Sequence, residues 1–162
     1  MQKKNSVLVN EKIKKFNKTI KIPGDKSCSI RALILASQCI GESKIFNLLE
    51  STDVLDCLKT LRTLGVKIVK KKNHYSVYGN GLNSFRIKKK ITKLYIGNSM
   101  TTARLISGLC STLPSKFYLY GDASANRRDF MRVIEPLERV GAKFSIYFYQ
   151  ETCSTVPKPL EH

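Results

Sequence analysis

Val54-Leu55-Asp56-Cys57-Leu58-Lys59-Thr60-Leu61, closed by Leu64-Gly65-Val66-Lys67-Ile68, is the stretch on which the fold turns. Val54, Leu58 and Leu61 recur at i, i+4 and i+7, which places one apolar stripe on a helix. Gly65 then suits the left-handed residue that ends many helices, and a short strand follows. The same order returns as Val133-Ile134-Glu135-Pro136-Leu137 and Val140-Gly141-Ala142-Lys143-Phe144, with Gly141 76 positions after Gly65. Upstream, Arg31-Ala32-Leu33-Ile34-Leu35 and Lys44-Ile45-Phe46 find their counterparts in Arg104-Leu105-Ile106 and Lys116-Phe117-Tyr118-Leu119. Four blocks in one order point to an internal duplication.

Each copy predicts the same elements. A helix follows a Gly-containing turn, over 27–40 and 99–112. A strand comes next, over 43–48 and 116–120, and then a second helix, over 52–64 and 129–140. Ser51 reads as an N-cap, and Val66–Val69 and His74–Tyr78 read as two strands joined by a polar turn. The second copy has a matching strand at Lys143–Tyr149 and then loses the pattern. The expected class is α/β (α+β), built of tandem β-α-β-α-β-β units. Repeat one is expected over about 18–80 and an incomplete repeat two over about 84–150, in one partial domain at 1–157. Residues 158–162 read as a tail, with Leu160-Glu161-His162 resembling a tag scar. An incomplete unit leaves a sheet edge open to pairing with a second copy.

Composition narrows the class without deciding it. A content of 42% hydrophobic and 25% charged residues is that of a globular chain. No apolar run reaches the roughly 18 residues of a membrane span, and Met1–Asn5 leads into no apolar signal core. A cytoplasmic address is expected. Cys28, Cys39, Cys57, Cys110 and Cys153 show no metal-ligand spacing and read as reduced thiols, most of them small core residues. The net charge of +17 admits nucleic acid, an anionic surface or small polyanions. The runs Lys70-Lys71-Lys72 and Lys88-Lys89-Lys90 lie beside turn residues, which favours a solvated lysine surface over a dedicated nucleic-acid patch.

Three segments carry candidate chemistry. Pro23-Gly24-Asp25-Lys26-Ser27-Cys28-Ser29-Ile30-Arg31 brings an ammonium, a hydroxyl and, four residues on, a guanidinium to a helix start, where backbone N–H groups favour an anion. A bland alternative is a Ser cap followed by a surface Arg. Ile96-Gly97-Asn98-Ser99-Met100-Thr101-Thr102-Ala103-Arg104 repeats the design, and its bland alternative is a well-capped helix. Gly121-Asp122-Ala123-Ser124-Ala125-Asn126-Arg127-Arg128-Asp129 joins a strand to a helix with small and basic residues. Neither histidine forms a triad with Ser or Cys, and no phosphate-loop or dinucleotide motif occurs.

These segments, with Asn47-Leu48-Leu49-Glu50-Ser51-Thr52-Asp53-Val54 and Arg132-Val133-Ile134-Glu135-Pro136-Leu137, resemble the motifs of the 5-enolpyruvylshikimate-3-phosphate synthase family in order and spacing, over about residues 20–148. The resemblance implies an enolpyruvyl transferase of aromatic amino acid biosynthesis. Such an enzyme joins phosphoenolpyruvate to the 5-hydroxyl of shikimate 3-phosphate without metal or organic cofactor. It implies that Lys26 is a catalytic residue touching both substrates, that Ser27 and Arg31 hold shikimate 3-phosphate, and that Asn98, Met100 and Arg128 border phosphoenolpyruvate. It also implies that about two of the family's six repeats are present, that the main acid-base groups lie in a missing C-terminal portion, and that the chain alone is inactive. Two departures stand out. Met100 replaces the usual Gly or Ala and is expected to crowd phosphoenolpyruvate and the inhibitor glyphosate, and Asp129 replaces a Pro and is expected to loosen its loop. The rival reading is a basic module for nucleic acid or other polyanions.

Overall fold

The computed structural model describes residues 8, 10–12, 15, 17–85, 87 and 90–146. Cys153, Lys88, Lys89, the tail at 158–162 and the later part of the Lys143–Tyr149 strand lie outside the described residues. The first copy runs α1 (Lys26–Gln38), β1 (Ile40–Phe46), α2 (Thr52–Thr63), β2 (Lys67–Lys70) and β3 (His74–Asn80). The second runs β4 (Ile91–Tyr95), α3 (Met100–Cys110), β5 (Lys116–Tyr120), α4 (Ala123–Asn126) and α5 (Met131–Arg139).

The repeated glycines do the same work in both copies. Gly65 and Gly141 hold φ of 89° and 98°, a region that costs a residue without Cβ nothing. At the first, Val66 N–H bonds the Leu61 carbonyl at 3.0 Å; at the second, Ala142 N–H bonds Leu137 at 3.0 Å. The paired bonds beside them, Gly65 to Arg62 and Gly141 to Glu138, complete one helix-ending motif used twice.

β1, β3 and β2 form an antiparallel sheet in that order, with Ile40 opposite Asn80 and Lys67 opposite Tyr78. β4 and β5 form a separate parallel pair, Ile91 opposite Lys116, and α3 supplies the crossover that a parallel pair requires. The copies share one core. Ile30 and Leu33 of α1, Val54, Leu58 and Leu61 of α2 and Val77 of β3 pack with Leu94 of β4 and Ile106 of α3. Burying one such side chain is favourable by about 1.5–3 kcal/mol, so neither copy is closed without the other. A smaller cluster of Ile96, Met100, Ala103 and Ala125 lies at the start of α3. Among the described residues no helix is long and apolar enough to cross a membrane.

Several expectations need correction. Residues 143–146 carry no strand, and 17–25 hold none to open the first copy, so among the described residues only the second copy has an opening strand, β4. The last helix starts at Met131, not at 129. Asp129 accepts from Met131 N–H at 2.8 Å, so a carboxylate anchors the turn expected to be loosened. Ser51 stands at the cap position of α2, but its hydroxyl makes no cap bond. Of the four described cysteines only Cys57 and Cys110 are core residues, whose thiols burial pushes up to about 12. Cys28 and Cys39 are exposed.

Candidate functional site

The mouth of α1 is built from two loops. Pro23-Gly24 packs so closely on the loop after β1 that a Cβ on Gly24 would collide with the Asn47 carbonyl oxygen. Asn47 itself takes φ of 53°, and Leu49 N–H bonds the Ser29 hydroxyl at 3.0 Å, pinning the 47–51 loop to the helix. Glu50 anchors that loop's far side to the sheet through Lys70 at 2.7 Å and the Tyr75 hydroxyl at 2.9 Å.

Asp25, not Ser27, caps α1. Its carboxylate accepts from Cys28 N–H at 2.7 Å, and this bond holds its pKa below the ordinary aspartate value. One first-turn N–H group is therefore already met by an anion of the chain itself. Lys26 is the first helical residue, and its half-exposed ammonium lies 2.9 Å from Asp53 Oδ2 in the first turn of α2. Arg31 is exposed and turns back along the helix to donate to the Ser27 carbonyl at 3.2 Å. Lys26, Ser27 and Arg31 thus share the first two turns of α1. Lys26 leans on α2 and Arg31 on its own helix.

The mouth of α3 is closed differently. Gly97 holds φ of 58°, and a Cβ on Gly121 would strike its carbonyl oxygen, which also accepts from Asp122 N–H at 3.1 Å. Ser99 caps α3: its buried hydroxyl accepts from Thr102 N–H at 3.2 Å and lies 2.8 Å from the Thr102 hydroxyl. Asn98 is half-buried, and its Oδ1 is enclosed without a partner. Met100 is 9% exposed, packed with Ile96, Ala103 and Ala125, so its thioether fills the smaller core instead of standing free at the mouth. Arg128 is exposed and reaches Ser124 Oγ at 3.4 Å, while Asp122 caps α4 by accepting from Ala125 N–H at 2.7 Å.

α2 links the two mouths. Asp53 faces Lys26; Asp56, three residues on, is pressed against Gly97; Thr60, one turn further, donates to the Tyr95 carbonyl at 2.7 Å just before the second turn. Residues three and four apart are neighbours on a helix surface, so one stripe of α2 touches both sites. Sequence reasoning missed Asp25, Asp53 and Asp56 as members of the site. An Asp directly before a helical run is a cap signal that could have been read, whereas the partners of Asp53 and Asp56 come from distant loops.

The family model for EPSP synthase (3-phosphoshikimate 1-carboxyvinyltransferase) matches residues 10–156. The 3-phosphoshikimate 1-carboxyvinyltransferase of Vesicomyosocius okutanii is 45% identical over 123 residues, 76% of this chain and 28% of that protein. Its counterpart from Oenococcus oeni is 42% identical over 140 residues, 85% and 32% of the two chains. The solved EPSP synthase from Acinetobacter baumannii superposes with a TM-score of 0.68 at 34% identity, covering 76% of this chain and 28% of that one. The chain spans less than a third of the length of these relatives.

Proposed function

This chain belongs to the EPSP synthase family, and we propose on that premise that it forms the cationic, substrate-holding part of an enolpyruvyl transferase. The reaction is transfer from phosphoenolpyruvate to the 5-hydroxyl of shikimate 3-phosphate, through a tetrahedral intermediate that expels phosphate. Lys26, Ser27 and Arg31 hold shikimate 3-phosphate, Lys26 also meets phosphoenolpyruvate, and Asn98, Met100 and Arg128 border the latter. Both substrates carry several negative charges, so cations must offset their repulsion before the reacting atoms approach.

One observation carries the reading: two equivalent helix starts, one bearing Lys26, Ser27 and Arg31 and the other Asn98, are joined by a single helix whose carboxylate holds Lys26 in place. The Lys26–Asp53 pair holds the ammonium in place at the mouth of α1, and a phosphate oxygen takes over part of its hydrogen bonding on arrival. Each charge-assisted bond of this kind contributes about 1.5–3 kcal/mol. The main acid-base groups of the reaction belong to the family's C-terminal portion, so on this reading the chain alone turns over no substrate. Enolpyruvyl transfer by the purified chain would contradict this.

The test is protection of Lys26 from an amine-modifying reagent, read by mass spectrometry. Shikimate 3-phosphate should slow modification of Lys26 selectively, whereas Lys70 and Lys93 react as before. Equal reactivity with and without the ligand would remove the support. The net charge of +17 keeps a second reading in view, a module for polyanions at large. Steeply salt-dependent duplex binding without protection of Lys26 would favour it.

A further inference from the structure

We infer that Asp56 is a positioning residue for the mouth of α3, fixing the Gly97–Asn98 turn and hence the place of the Asn98 amide. The inference rests on the reading that this mouth receives phosphoenolpyruvate.

Asp56 is a carboxylate in the middle of α2 with only 4% of its side chain exposed. Burying a charge costs heavily unless something compensates. Its ion partner Lys59 lies 2.9 Å from Oδ1 but is itself 68% exposed, and it engages only that oxygen. The other oxygen points at Gly97: a Cβ there would land on Oδ2 and lie 3.1 Å from the carboxyl carbon. Glycine and carboxylate therefore fill each other's space. The left-handed φ of 58° at 97 already favours glycine, and Asp56 removes the room for anything larger.

On its other side the turn is clamped by Gly121 and Asp122, and just before it by the Thr60 bond to Tyr95. Asn98 needs this support because its enclosed Oδ1 has no hydrogen bond of its own. With no hydrogen bond to that oxygen, the place of the amide depends on the backbone that carries it and on the atoms that enclose it. A shift of a fraction of an ångström in the turn is passed directly to the side chain proposed to meet the ligand.

The experiment titrates the isotope-labelled 162-residue chain with phosphoenolpyruvate, following amide shifts of Ser99, Met100 and Thr101, and in parallel with shikimate 3-phosphate, following Lys26 to Arg31. Asp56→Ala should weaken the phosphoenolpyruvate response by about tenfold while the α1 response changes less than about twofold, and the same-shaped Asp56→Asn should restore it. Should the alanine variant fail to fold, Asp56→Ser, too short to reach the turn, gives the same comparison. Equal losses at both mouths, or none at either, overturn the inference. Absence of any phosphoenolpyruvate response at α3 in the wild-type chain instead overturns the functional reading beneath it.

Discussion

The two helix mouths are one device built with opposite surroundings. At α1 the cap is Asp25, exposed and charged, and the first helical residue is the half-exposed Lys26; at α3 the corresponding residues are Ser99 and Met100, both buried. Each cap accepts from the N–H three residues on, Cys28 in one copy and Thr102 in the other. The backbone is thus held alike while the side chains differ. A duplicated unit can therefore carry an open cationic mouth and a closed one backed by apolar packing. The mouth of α1 holds its own charges in balance through Asp53, and the mouth of α3 relies on packing and on Asp56 to keep its shape.

The contrast can be broken most severely from beneath. Leu61, fully buried in the core that both copies share, should cost about 2–5 kcal/mol on change to Ala. Thermal unfolding should then lose both mouths together. Loss of one copy alone would show that the duplication is two independent units.

A smaller change should separate the mouths. Met100→Gly removes the side chain that backs α3 and places glycine in its first turn, at a cost of about 2–4 kcal/mol by chemical denaturation. Because the thioether lies in the core, the gain in phosphoenolpyruvate affinity expected from uncrowding should be slight. A large gain with little loss of stability would place the side chain in the binding site. Ser99→Ala should cost about 1–2 kcal/mol, since it deletes a buried cap.

Acid should distinguish the caps most gently. Asp25 has a pKa lowered from 3.8 by its bond to Cys28 N–H, so its contribution is present above the ordinary aspartate range and is lost as pH falls through the lowered value. The Ser99 cap does not titrate. Amide exchange followed down through this window should show the start of α1 fraying before that of α3, and simultaneous fraying would contradict the assignment of the caps.

Much of this was legible in the residues. The apolar stripe of Val54, Leu58 and Leu61 located α2, Gly65 and Gly141 marked two helix ends, and the strand at 116–120 appears with the bounds expected from its place in the repeat. What could not be read depends on contacts across the chain. Lys26 meets Asp53 at a separation of 27 positions, and Asp56 meets Gly97 only because Thr60 and the shared core bring β4 beside α2. The position of Met100 in its motif was visible, whereas its packing with Ile96, Ala103 and Ala125 was not, because Ala125 comes from a separate element. The expected strand after Gly141 rested on similarity to the first copy, where β2 pairs with β3; residues 143–146 have no such partner among the described residues.

On the proposed function, the cations gathered at the start of α1 receive a phosphorylated metabolite. Calorimetric titration of the wild-type chain and of Lys26→Met with shikimate 3-phosphate, at one fixed ionic strength, tests this most directly. Loss of one charge-assisted contact predicts an affinity at least about tenfold weaker in the variant. Equal affinities for the two chains would contradict it.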